Sequence, residues 1–196
     1  MSRTTAVAAI ALAAIAGASA AVAAPSRSLT EDAEAWWVNE MNQRTAPPVP
    51  FCLDGRGSVT YLLQAYNVGK KTTVCPVRAN NPVVIPIVTT AFSNTIYIGT
   101  MLLRAGALID QTTNLSFSLD GHTEAITPQW RTPTSYFITS ATEAQLPTYT
   151  IADGYFTTRS FPPGTHVVHT TGCYPSDTMS GAVRYCTDMT YILVAK

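Results

Sequence analysis

Charge is scarce in this chain. Its 12 Lys and Arg and 12 Asp and Glu make up 12% of 196 residues and cancel to zero. That is about half the charged share of an average soluble protein. With no excess of either sign, the sequence carries no electrostatic footprint for nucleic acid or for an anionic membrane surface. Three histidines leave little material for acid–base or metal chemistry. His166 and His169 lie three apart in a β-branched stretch, and strand alternation sends such a pair to opposite faces, so a shared metal is not expected. No G-x-S-x-G elbow, C-x-x-C pair or D-x-D-x-D-G calcium loop is present, which removes the usual signatures of a serine hydrolase, a redox or zinc site and a calcium site. Asp54, Asp120 and Asp153 each precede a glycine, and Asp-Gly marks a turn before it marks a site. No cofactor is implied.

Long apolar runs are absent as well, except at the start. Arg3 precedes the run Ala6–Ala16 (AVAAIALAAIA), and Gly17-Ala18-Ser19-Ala20 then gives the small-x-small pattern of a signal-peptidase site, with Ala21-Val22-Ala23 as a second candidate. Residues 1–24 therefore read as a signal peptide cleaved after Ala20 or nearby. An uncleaved anchor is the rival reading. The stretch is mostly alanine, however, and its strongest apolar residues are Ile10, Leu12 and Ile15, a weak drive into hydrocarbon. Removing residues 1–20 leaves 176 residues and takes away Arg3, so 11 basic and 12 acidic groups remain and the net charge becomes −1. The implied address is secreted, periplasmic or cell-envelope, with no membrane span after the leader is removed.

In that oxidising setting four cysteines mean bridges. Three pairings are open to them. The local one, Cys52 with Cys75 and Cys173 with Cys186, is favoured because each pair brackets a turn-rich stretch.

What the chain does contain is 9 Tyr, 13 Pro and 11 Gly, together with abundant Thr, the mixture of strands and turns. Residues 25–50 predict a helix and a Pro-rich turn. Ser28 and Glu31 have capping-box spacing, Ala33, Trp36, Trp37 and Met41 share one helical face, and Pro47-Pro48-Val49-Pro50 ends it. Residues 51–196 predict a single β-sandwich domain with strands at Val59–Tyr66, Thr72–Val77 and Val83–Val88. Pro86 makes the last of these an edge strand or marks a bulge. A second helix is predicted over Thr95–Asp110 from the stripe Ile98, Met101, Leu102, Ala105 and Ile109. Leu115–Leu119 and His122–Ile126 form a hairpin about Asp120-Gly121. Further strands follow at Ser135–Ser140, at Gly154–Phe161 (opened by an Asp153-Gly154 turn) and at Thr165–Thr170 after Pro162-Pro163-Gly164. The last is Thr187–Val194, with Met189, Tyr191 and Leu193 on one face. The fold class is mainly β: an antiparallel sandwich, Ig-like or jelly-roll-like, with one or two short helices on an edge or face.

Several segments in this order resemble a broad group of exported, mostly bacterial proteins with no established activity. They are Ala35-Trp36-Trp37, Cys52 with Gly55, Val74-Cys75-Pro76-Val77, Pro82–Val88, Leu103–Gly121, Ala152-Asp153-Gly154-Tyr155-Phe156, Pro162-Pro163-Gly164-Thr165-His166 and the closing Met189–Val194. The chain departs from the group at Ala79-Asn80-Asn81, where an Ala-Gly-Lys turn is usual, and in its loop between Cys173 and Cys186. The resemblance implies an exported β-rich domain and transfers no catalytic residue.

The expected function is accordingly non-catalytic binding of an extracellular or envelope ligand, a glycan or a protein. Trp130, Tyr136 and Tyr155 are the candidate binding residues, and Tyr149 and Tyr174 are further aromatic faces for a sugar ring, although such side chains also complete cores. A secreted hydrolase of wall polymers or esters is the alternative, and it requires a trio such as Asp153, His166 and Glu124 to line one pocket. A structural or host-interaction protein is the third reading, with Val83–Val88 as its open edge. Asn114-Leu115-Ser116 is a glycosylation sequon.

Overall fold

A computed structural model describes residues 27–43, 51–54, 59–67, 69–94, 98–138, 148–175 and 184–196. The leader, the Pro-rich turn at 47–50 and Gly181 lie outside the described residues. In chain order the elements are α1 (Leu29–Gln43), β1 (Cys52–Asp54), β2 (Thr60–Leu62), β3 (Lys71–Val77), β4 (Pro82–Asn94), α2 (Ile98–Asp110), β5 (Thr113–Leu119) and β6 (His122–Glu124). A 3-10 turn at Pro128–Trp130 follows, then β7 (Thr134–Ile138), β8 (Thr148–Ser160), β9 (Gly164–Pro175) and β10 (Arg184–Ala195).

Two five-stranded sheets result, ordered β1-β2-β4-β8-β7 and β3-β10-β9-β5-β6. They pack as a sandwich around Val83, Ile85 and Ile87 of β4, Phe117 of β5, Val168 of β9 and Met189, Tyr191 and Leu193 of β10. Burying each such side chain stabilises the fold by about 1.5–3 kcal/mol before entropy is counted. The alternation read from β10 is reproduced residue for residue, with Met189, Tyr191 and Leu193 fully buried. The sheets are mixed rather than wholly antiparallel, because β2 runs parallel to β4 and β3 parallel to β10.

Helix α1 starts where the capping box places it. The Ser28 N–H donates to Glu31 Oε2 at 2.7 Å and the Glu31 N–H donates to Ser28 Oγ at 3.2 Å. The Ser28 N–H most, and the Ser28 hydroxyl next, hold the Glu31 carboxyl below its ordinary range. The helix lays Ala33, Trp36 and Trp37 on the outer face of the first sheet, against Tyr61, Val84, Ala152 and Phe156. The two tryptophans meet edge to face at 4.8 Å, and the Trp36 indole N–H donates to the Leu62 carbonyl at 2.5 Å. They are core, as an apolar helix face requires. Helix α2 covers the end of the sandwich through Leu108 and Ile109, packed with Val88 and Tyr174.

Both favoured cystines form. Cys52–Cys75 joins β1 to β3, edge strands of different sheets, and Cys173–Cys186 ties directly opposed residues of β9 and β10. The β5–β6 hairpin turns on Asp120 and Gly121 with φ of 49° and 80°, the positive pair that a two-residue loop needs.

Three expectations need correction. Val83–Val88 is no edge, since β4 lies at the centre of its sheet between β2 and β8. Pro86 is instead absorbed by an irregularity between Pro86 and Val88, the other outcome its ring allows. Asp153-Gly154 is no turn, because it sits in the interior of β8. Glycine is required there by crowding: a Cβ would fall 2.7 Å from the Val88 carbonyl oxygen. Finally, the Val59–Tyr66 strand shrinks to Thr60–Leu62, with the Leu63 N–H donating to the carbonyl of Phe51, the residue before β1.

Candidate functional site

The candidate site follows from the unequal lengths of β7 and β8. β7 pairs with β8 over Thr148–Ala152. Arg131 then bridges Tyr155, and the Thr132 N–H donates to the Gly154 carbonyl at 2.8 Å. Beyond that point β8 has β4 on one side, and on the other no strand among the described residues. The space alongside is bounded by the start of α1 and by the 3-10 turn. It forms a cleft of ≈ 260 Å³ lined by Arg27, Leu29, Asp32, Trp130, Thr157 and Thr158.

Each lining side chain is placed by local chemistry. Thr127-Pro128 opens the 3-10 turn with proline at its first position, and the Trp130 N–H donates to the Thr127 carbonyl at 3.0 Å. Trp130 is half-buried. It meets the edge of Phe117 at 5.3 Å, and the Arg159 guanidinium lies 5.3 Å from its ring centroid. Arg159 is fixed in turn by Glu124, whose carboxylate accepts from Nη2 at 2.5 Å. The indole is thus held from behind by Phe117 and an ion-paired arginine.

On the opposite wall Asp32, only 4% exposed, accepts from Thr158 Oγ1 at 2.8 Å and faces Arg27 Nε at 3.8 Å. Arg27 also bonds the Tyr61 hydroxyl, whose pKa is nevertheless raised because burial outweighs the arginine. The cleft therefore combines one aromatic and one aliphatic side chain, two threonines and a mutually neutralised Arg–Asp pair.

Beside the cleft lies a second polar cluster with a structural role. The Asp153 carboxylate accepts from Arg131 Nε at 3.1 Å and Nη2 at 2.7 Å, and from the Gly154 N–H at 2.7 Å. Arg131 also pairs with Asp110 and donates to the Gly106 carbonyl at 3.1 Å. These bonds hold its guanidinium firmly protonated, the one to Asp153 most. This clamp ties the C-terminal end of α2 to β8. Elsewhere the Tyr66 hydroxyl accepts from the Thr89 N–H at 2.8 Å and sits 2.8 Å from Gln64 Oε1. Burial pushes that phenol up, and the group is internal.

Of the candidate binding residues, Trp130 lines the cleft. Tyr155 is half-buried, packed against both the inter-sheet core and the α2 cluster, and so spends its ring on the interior. Tyr136 lies on β7 beside Thr150, and its side chain is outside the described residues, as is that of Tyr149. Tyr174 is buried against Tyr66, with centroids 5.8 Å apart.

The hydrolase trio does not converge. Asp153 belongs to Arg131, Glu124 to Arg159, and His166 Nδ1 to Asp120 at 2.9 Å. His166 Nε2 lies 3.1 Å from the Pro162 carbonyl. The Asp120 bond keeps His166 above the usual imidazole range, while that bond and the Val167 N–H keep Asp120 below the carboxylate range. His169 pairs separately with Asp188 at 2.9 Å. No group of three His, Cys, Asp or Glu suited to a metal occurs among the described residues, and none of their helices is long and apolar enough to cross a membrane.

Sequence reasoning missed Arg27, Asp32, Thr157 and Thr158. Asp32 reads as an ordinary first-turn acid of a helix, and no spacing rule links it to a threonine more than a hundred residues away. No family model, curated protein or solved structure matches the chain.

Proposed function

We propose that this is an exported, non-catalytic β-sandwich protein that binds an extracellular or envelope ligand, a glycan or another protein, through the cleft at Trp130. The observation that carries the reading is the cleft itself, where a partly exposed tryptophan held from behind faces Asp32, Arg27 and two threonines. A few polar groups converging on an apolar face is the composition of a binding site. The leader-like start and the two cystines support export, because such bridges persist in oxidising compartments. The separate partners of Asp153, His166 and Glu124 leave the hydrolase alternative without an assembled acid–base group.

The test is retention of the oxidised protein on the cell-envelope or extracellular material of its source. Retention is expected for the natural chain and for Val74→Thr, and is lost on Arg27→Ala and on Trp130→Ala. Equal retention of all four proteins, or none by any, refutes the reading.

One observation favours a structural or assembly role instead. The outer face of the second sheet presents Val74, Ile192 and Val167 in one cross-strand row, with Val74 60% and Val167 40% exposed. Concentration-dependent self-association abolished by Val74→Thr would support that role.

A further inference from the structure

We infer that the ligand of the Trp130 cleft is an uncharged sugar ring, a pyranose unit of a neutral glycan, stacked on the indole and hydrogen-bonded by Asp32, Arg27 and Thr158. This deepens the binding reading above and rests on it.

Among the described residues, each cation around the cleft is balanced by a carboxylate. Arg27 faces Asp32, Arg159 is paired with Glu124 at 2.5 Å, and Arg131, next to Trp130 in sequence, is paired with Asp153 and Asp110. A phosphate, sulfate or uronate entering here would meet guanidinium groups whose charge is each balanced by a carboxylate, and would approach four carboxylates. A cationic ligand would find the charge of Asp32 already balanced by Arg27. The field selects a neutral occupant.

Of the six lining residues only Leu29 and Trp130 are apolar, too little for an apolar side chain or acyl chain to leave water. A sugar ring has one face of C–H groups and a rim of hydroxyls. The C–H face matches the electron-rich indole face, and the rim matches groups able to donate and accept within one small space. Asp32 Oδ1 faces Arg27 at 3.8 Å, longer than a hydrogen bond, so it keeps acceptor capacity for a sugar hydroxyl. Arg27, with 45% of its side chain exposed, has donors to spare. A cleft of ≈ 260 Å³ holds about one ring with its hydroxyls, so a chain end or a single protruding unit fits better than a long stretch of polymer. Arg159 and Glu124 are positioning residues, which act by holding the indole.

The structure also supplies the readout. Trp36 and Trp37 are 1% and 3% exposed, whereas Trp130 is half-buried and in the cleft. Acrylamide quenching of tryptophan fluorescence in the full, oxidised protein therefore reports chiefly on Trp130. The probes are neutral oligomers of glucose, mannose and N-acetylglucosamine, with an alginate oligomer and a sulfated glycan as anionic controls. At least one neutral oligomer is expected to protect Trp130 from quenching, to bind equally well at low and high salt, and, by titration calorimetry, to lose affinity by about tenfold or more in Arg27→Ala and in Trp130→Phe. Arg27→Ala guards against misfolding, since 45% of its side chain is exposed and its pair with Asp32 is long.

Protection by the anionic controls alone, fading with salt, overturns the neutral class and leaves the binding reading standing. Absence of protection by any glycan, together with Arg27-dependent retention on envelope protein, overturns the sugar inference alone. Absence of both effects ends both readings.

Discussion

Replacing Asp153 by Asn changes one atom in the interior of β8 and should cost more than its size implies. The carboxylate is 2% exposed and accepts from Arg131 Nε and Nη2 and from the Gly154 N–H. An amide keeps one acceptor oxygen but turns an NH₂ toward a guanidinium, so a donor faces a donor. Breaking a buried pair by neutralising one partner costs about 3–5 kcal/mol when the surviving charge is sealed off. Here the surviving charge is not sealed. Arg131 retains Asp110 and the Gly106 carbonyl, and 26% of its side chain reaches water. The loss should therefore lie near the strength of one or two charge-assisted hydrogen bonds, about 2–3 kcal/mol. For a chain of this size each kcal/mol moves the midpoint by about 2–4 °C, so thermal unfolding of the oxidised protein should fall by about 4–12 °C. Arg131→Met should cost a similar amount, and the double variant clearly less than the sum, because the two changes remove one interaction. A drop below about 2 °C for Asp153→Asn, or strict additivity in the double variant, would mean that the clamp does not hold β8 to α2.

Two further outcomes follow from the same bonds. His166 has a folded pKa raised above 6.5 by Asp120, so its contribution is complete below the unfolded value and is lost as pH rises through the folded one. The urea midpoint should accordingly fall as pH rises from below 6.5 through the raised folded value, and fall less in His166→Gln; an identical slope in both proteins would refute the assignment. Removing the Cys52–Cys75 cystine as a double Ala variant should cost about 3 kcal/mol by chain entropy, about the same as removing Cys173–Cys186 with its shorter separation. Chemical denaturation of the two variants checks this, and a loss below about 1 kcal/mol for either would contradict it.

Features written within a few residues of chain were legible. Ser28 and Glu31 announce a helix start, Asp120-Gly121 a hairpin, and the alternation through Met189, Tyr191 and Leu193 a half-buried strand. Each depends on backbone geometry that neighbours alone can satisfy. Long-range features were not legible. Pro86 argues for an edge until a bulge lets a central strand keep it, and no local pattern records that bulge. Asp153-Gly154 carries the composition of a turn, yet its glycine answers the nearby Val88 carbonyl and its aspartate answers Arg131, both distant in sequence. A usable signal existed, because Thr150-Ile151-Ala152 and Tyr155-Phe156-Thr157 are strand formers on both sides and a strand passing straight through fits them. The cleft draws on three separated stretches, 27–32, 130 and 157–158, and only the indole stood out as a candidate by residue type.

The clamp and the cleft are coupled by chain connectivity. Trp130 and Arg131 are adjacent, and the bonds that fix Arg131 to Asp153 and Tyr155 set where the 3-10 turn docks on β8. Loosening the clamp should therefore move the indole against Thr157 and Thr158 as well as lower stability, so Asp153→Asn should weaken ligand retention although Asp153 is no part of the lining. Arg27→Ala should do the reverse and reduce retention with a smaller loss of stability than Asp153→Asn, since its pair with Asp32 is long, 45% of its side chain is exposed and Asp32 keeps the bond from Thr158. Measuring retention and unfolding midpoint together on these two proteins separates the roles. Asp153→Asn retained as well as the natural chain, despite a lowered midpoint, would show that the turn docks independently of the clamp, with Trp130 held by Phe117 and Arg159 alone.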